Sequence, residues 1–308
     1  MRPESASLAL AEAARHGRAS NPMRARRRLA NELRRLREAA GFTQITFAEC
    51  MEWSTSTQIR YENGTVPLKR QVIHSVLRAL GVDDDEIAAR WQGLAREARR
   101  PAWWRDYGAV LDATVVRVLA QEASAVQIRC YEGMWIPDLL QTPVYALAER
   151  FVVAAPYVAP PDVAAEVYRN RTGLLYAPDG PRATFLVCES ALHRRLAGVG
   201  IDEHAEQLTA LLDWIDRDNV TVRVVPFGAP AHRGYKGSGF THYDLDDGSL
   251  GCASIYEPAG AIRSFTAERD MAVLLDDFAD IETKAADEAE TRRLIEHVRS
   301  RFRLARTG

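Results

Sequence analysis

At 308 residues the chain is long enough for two ordinary domains with sizeable cores. It is 47% hydrophobic and 27% charged, the composition of a soluble globular protein. No apolar run approaches the length of a membrane span, and LALAEAA near the N-terminus is too short and too flanked by charge for a signal peptide. A cytoplasmic protein with no membrane attachment is therefore expected.

The net charge of −2 conceals an asymmetry. Residues 1–100 hold 18 Lys and Arg against 12 Asp and Glu, and the remainder holds 22 against 30. The basic end suits a polyanion and the acidic remainder does not. Cys50, Cys130, Cys188 and Cys252 lie far apart, with no CxxC and no paired-histidine spacing. That pattern argues against a zinc site or a disulfide framework and leaves buried thiols as the expectation.

Residues 1–22 lack sustained periodicity and read as an N-terminal arm. From Met23, MRARRRLANELRRLREAAG repeats apolar residues at Leu29, Leu33 and Leu36, the stripe of a helix that stops at Gly41. Thr43 is placed to cap a second helix, QITFAECM, and Ser54 a third, TSTQIRYE, closed by Asn-Gly. KRQVIHSVLRALG and DDDEIAARWQGLAREARR read as the fourth and fifth, the last opening on acids that suit its N-terminal dipole. These place an all-α five-helix domain at residues 23–100. PAWWRDYG marks a linker over 101–108. Within 109–308, VVRVLAQEASAVQIRCYE reads as helical, WIPDLLQTPVYALAERF as turn-rich and VAAEVYRNRTGLLY as a helix. Strand signals follow in ATFLVCE, NVTVRVVPF, SGFTHYDL and CASIYEP, and Glu268 to Leu304 is helical again. The second domain is expected to be mixed α+β, without repeats.

The stretch GFTQITFAECMEWSTSTQIRYENG meets the demands of a helix-turn-helix in order. It offers a small residue, Ala48, where two helices cross, and apolar Phe47 and Met51 to hold the angle. Short polar side chains, Thr55, Ser56 and Thr57, open a helix that can enter the major groove. Through TQ at 43–44, FA at 47–48, the serines at 54 and 56, and R-x-ENG at 60–64, it resembles the Cro and CI-like (XRE) repressor family. The resemblance implies that double-stranded DNA is the partner. Gln44 would brace a phosphate, and Ser54, Thr55, Ser56, Thr57, Ile59 and Arg60 would form the contact end of the reading helix. Arg60 either forks onto guanine O6 and N7 or meets a phosphate or carboxylate. Arg24, Arg26, Arg27 and Arg28 are phosphate candidates, with solubilisation of the first helix as the plain alternative.

Two positions depart from the family pattern. Glu52 stands at a turn that tends to need positive φ and is normally glycine, at a cost of roughly 1 kcal/mol. Gln58 stands where Val or Ile normally plugs the helix pair, and Ile59 where the residue is normally polar. Either the amide is hydrogen-bonded at the core edge, or the reading helix is rotated.

EGMWIPDLLQTPVYALA at 132–148 and NVTVRVVPFGAPAHRGYKGSGFT at 219–241 resemble the C-terminal domain of Streptomyces-type, WhiJ-like, antitoxin-like transcription regulators. That resemblance implies a transcription regulator often encoded beside a small partner protein, while a homodimer is expected because one reading helix of this size gives little specificity and the Cro and CI-like family reads paired half-sites. A partner- or ligand-binding role would fall on Trp135, Leu139, Gln141 and Tyr145, or on His232 and Lys236 in the HRGYKGSG loop, with core packing and a plain hairpin loop as the alternatives. The rival reading makes residues 109–308 an enzyme for a phosphorylated or nucleotide-like substrate. It rests on that loop, whose spacing is not that of a P-loop, and on Glu189 and His193 four residues apart. Neither a nucleophile elbow nor a metal-ligand set is found, so no catalytic residue, metal or cofactor is assigned.

Overall fold

The structure, a computed structural model, describes residues 21–153, 160–177, 180–236, 239–245, 249–257 and 261–304. The expected N-terminal arm lies almost wholly outside them. The chain divides into two compact units, one built on residues 20–106 and the other on most of 107–308.

The first unit contains five α-helices: α1 (Pro22–Ala39), α2 (Gln44–Cys50), α3 (Thr55–Glu62), α4 (Ile73–Ala79) and α5 (Asp85–Glu97). The side chain of Asn21 caps α1, with proline at the first helical position where no N–H is needed. Asp84 caps α5 by accepting from the amides of Glu86 and Ile87. The apolar stripe of α1, Leu29 and Leu33, meets Phe47, Tyr61, Ile73, Val76 and Trp91 in one core. Trp91 is fully buried, and its indole N–H donates to Glu32 Oε2 at 2.8 Å. The expected fourth helix differs in its start: residues 70–72 form a 3₁₀ turn, and α4 begins at Ile73.

The second unit opens with α6 (Ala113–Ser124) and β1 (Gln127–Glu132), followed by α7 (Pro143–Val153), α8 (Pro161–Tyr176), β2 (Arg182–Cys188), a short α9 (Glu189–His193), α10 (Ile201–Ile215) and β3 (Val220–Val225). Three further strands, β4 (Phe240–Asp244), β5 (Cys252–Tyr256) and β6 (Ile262–Phe265), precede α11 (Glu268–Glu282) and α12 (Glu288–Leu304). The strands form a six-stranded mixed sheet in the order β3-β2-β1-β4-β5-β6. β1, β2 and β3 are parallel, as the helical connections between them require, and β4, β5 and β6 run antiparallel. On one sheet face Tyr131, Leu186, Val225 and Phe240 pack with Phe278 and Ile281 of α11.

Three expectations are corrected here. QIRCYE is not helical: it is β1, inside the sheet, and hydrogen-bonded pairing on both sides overrides a run that lacks a Gly or Pro break. PVYALAERFVV, read as turn-rich, is helix α7. The C-terminal helical segment is two helices, separated after Glu282.

Candidate nucleic-acid interface

The α2–α3 pair is built by local chemistry. Thr43 and Thr46 form a reciprocal capping box at the start of α2. At the start of α3, Ser54 Oγ accepts from the Thr57 amide at 3.1 Å. Between them Glu52 adopts φ 57°, the only positive-φ non-glycine residue among those described, as expected for this turn. Ala48 is buried, allowing close approach of the helices, and edge-on rings run from Phe42 through Phe47 and Trp53 to Tyr61.

Gln58 resolves its alternatives in favour of a bonded amide. It is fully buried; its Oε1 accepts from Trp53 Nε1 at 3.1 Å, and its Nε2 donates to Glu62 Oε1 at 2.5 Å. Glu62, also fully buried, is the hub of this network. Arg37 Nε donates to its Oε1 at 2.6 Å, Arg37 Nη2 to its Oε2 at 3.0 Å and Gln44 Nε2 to its Oε2 at 2.8 Å. Burial alone would raise the Glu62 carboxyl, but the hydrogen bonds from Arg37, Gln44 and Gln58 outweigh it and hold it below the ordinary carboxylate value. A polar hub thus replaces the apolar plug.

With Gln58 and Glu62 turned inward, α3 points other side chains to solvent. Ser54, Ser56, Ile59 and Arg60 are exposed, and Thr55 and Thr57 are half-buried. The Thr57 hydroxyl is engaged with Ser54 Oγ at 2.9 Å. Gln44, the expected phosphate brace, is half-buried and held by Glu62, which fixes its carboxamide at the N-terminus of α2. On α1, Arg28 is exposed and loosely paired with Glu32 at 3.5 Å, and Arg27 is half-buried. Arg26 instead ties α1 to the end of α5 through Ala98 O at 2.9 Å.

In the second unit the residues read as a partner surface take different places. Leu139, Gln141 and Tyr145 are buried, and Trp135 is half-buried. Gln141 Nε2 donates to Ile136 O at 2.8 Å, and Gln207 Nε2 to Leu140 O at 2.9 Å, so polar clamps hold this segment into the core. Its accessible apolar surface is formed by Val144 and Leu147, beside a groove of about 220 Å³ between α7 and α8. His232 is half-buried, edge-on to the Tyr131 ring, and the side chain of Lys236 lies outside the described residues. His193 Nε2 stands 3.6 Å from Glu189 Oε1, while Glu189 Oε2 accepts from the Phe227 amide at 2.8 Å. That carboxylate caps a loop. Among the described residues no group of three potential metal ligands occurs, and no helix is long and apolar enough to cross a membrane.

Residues 28–89 match a family described as a helix-turn-helix domain. Residues 115–297, more than half of the chain, match the family described as a domain of unknown function, DUF5753. The chain belongs to the DUF5753 family. No curated protein matches the chain, and no solved structure does. The helix-turn-helix match covers all of α2, α3 and α4, so the DUF5753 protein carries a DNA-binding type of domain ahead of its mixed α/β unit.

Sequence reasoning passed over two exposed cations of this protein, Lys69 and Arg70, between α3 and α4. It had placed them inside a helix; their closeness to the Asn-Gly that ends α3 was the available signal.

Proposed function

We propose that this DUF5753 protein is a sequence-specific transcription regulator that acts as a homodimer on paired half-sites about 34 Å apart. The observation that carries the reading is the division of α3, whose Gln58 and Glu62 anchor it while Thr55, Ser56, Ile59 and Arg60 face outward. Arg60 reads a base edge, and Gln44, Arg27, Arg28, Lys69 and Arg70 supply backbone contacts. The second unit is an effector domain that binds a small protein encoded nearby or a small ligand, and it catalyses nothing. The Glu189–His193 separation and the capping role of Glu189 support that view over the enzyme reading.

The test is footprinting of the full chain on fragments selected from a random duplex pool, with light scattering of the free protein. A dimer protecting two half-sites one helical turn apart is expected. A monomer at micromolar concentration with a single protected half-site contradicts the dimer, and failure to enrich any sequence contradicts the reading as a whole.

A further inference from the structure

Among the described residues of the helical unit, two large apolar side chains are exposed, Ile45 at 57% and Ile59 at 38%. Scattered apolar side chains on a surface are ordinary, but these two stand on α2 and α3, the two helices of the helix-turn-helix. Neither belongs to the apolar core of the unit or to the half-buried side chains packed against it, so that core is complete without them. Ile45 is the second residue of α2, the helix of such a pair that crosses the phosphate backbone. Ile59 is on α3, the helix that enters the groove.

The direction of Ile59 is fixed by its neighbours. Gln58 is fully buried with both amide atoms bonded, and Glu62 is held by Arg37, Gln44 and Gln58. Rotating α3 to hide Ile59 would break these bonds and strand buried polar and charged groups. Ile59 therefore stays outside, one helical turn after Thr55 and Ser56 and next to Arg60. The surface around it decides what can cover it. A docking face for a protein partner needs a contiguous apolar patch, whereas exposed Ser56 and Arg60 make this neighbourhood polar. In the major groove adenine, guanine and cytosine present only donors and acceptors, and thymine adds its C5 methyl, the one apolar group there. An isoleucine set against a polar base edge would desolvate groups without replacing their hydrogen bonds, while against the thymine methyl it buries apolar surface on both sides.

We propose that Ile59 is a specificity-determining residue that packs on the C5 methyl group of a thymine, one in each half-site. The assignment deepens the reading of α3 as the DNA-reading helix and rests on it. It gives the apolar departure at this position a function of its own: selection for a T·A pair through a contact that contains no hydrogen bond.

The experiment starts from the operator selected by the full chain and replaces each thymine in turn by deoxyuridine, which keeps the pairing and the groove acceptor and removes only the methyl. The affinity of every duplex is measured for the native protein and for Ile59→Ala. Loss of the methyl should weaken the native protein about fourfold at one thymine per half-site. Ile59→Ala should bind the thymine and deoxyuridine duplexes equally at that position. Ile59→Gln takes its place if the alanine variant does not fold by circular dichroism. An operator in which no thymine methyl matters overturns the proposal and leaves the DNA reading standing. So does a folded variant that keeps the deoxyuridine penalty, which would give the methyl to another side chain, or one that matches the native protein on every duplex, which would leave Ile59 to a protein partner. Failure to select any operator removes the DNA reading and this proposal together.

Discussion

Replacing Glu62 by Ala removes the hub on which α1, α2 and α3 converge. The side chain is fully buried and accepts from Arg37 at 2.6 and 3.0 Å, from Gln44 at 2.8 Å and from Gln58 at 2.5 Å. Its loss leaves the Arg37 guanidinium, only 6% exposed, without its main countercharge, and stranding one partner of a buried ion pair costs about 3–5 kcal/mol. Arg37 keeps Phe42 O at 2.6 Å and the exposed Glu38 at 3.1 Å, which places the expectation near the lower end, about 3 kcal/mol. That is a large fraction of the roughly 5–15 kcal/mol that holds a domain folded. Native-state hydrogen exchange read by mass spectrometry isolates the helical unit within the full chain. Protection of the α2 and α3 amides should fall on the order of a hundredfold, and Glu62→Gln should fall less. A drop below tenfold in Glu62→Ala would refute the reasoning, because it would mean that Arg37 does not depend on this carboxylate.

Three further outcomes follow from the same unit. Because the folded Glu62 carboxyl titrates below its unfolded value, it stabilises above the unfolded pKa of about 4.3, and this contribution is lost as pH falls through the lower folded value. Exchange protection of α3 should therefore decline below about pH 4 in the native protein and be flatter in Glu62→Gln; equal slopes contradict the assignment. Gln58→Val restores an apolar plug, yet it strips Trp53 Nε1 of its acceptor and Glu62 of one donor, so a loss of about 1–3 kcal/mol is expected in the same assay and a gain would count against the network. Glu52→Gly relieves a left-handed residue and should add up to about 1 kcal/mol of stability, where a loss would show that the turn carries no strain.

The helical unit was legible because its signals are local. Thr43, Ser54 and Gly41 punctuate it, and the Leu29 and Leu33 stripe names its core face. Even the atypical Glu52 could be read, since its position in the turn dictates φ. Gln58 could be flagged but not resolved, because its partners Trp53 and Glu62 are recognisable only once α2 and α3 are packed. The second unit was less legible for the same reason. β1 owes its state to β2, 55 residues away in sequence, and to β4, 109–117 residues away, and its own QIRCYE carries no break from the helix before it. Helix α10 was left unread, and its Gln207 acts at a distance, bonding Leu140 O and the Thr142 amide.

The central claim is that α3 reads duplex DNA through its exposed face. It is tested most directly by the affinity of the full chain for its selected operator across a potassium chloride series, in native and Arg60→Ala forms. If about six phosphates are neutralised, log affinity should fall with log salt at a slope near −5. Arg60→Ala should cost about 1–3 kcal/mol, relax preference at one base pair per half-site and leave that slope nearly unchanged. Uniform weakening over all sequences with a shallower slope would assign Arg60 to phosphate instead. Binding that is independent of salt, or that shows no operator preference in the native protein, would contradict the account.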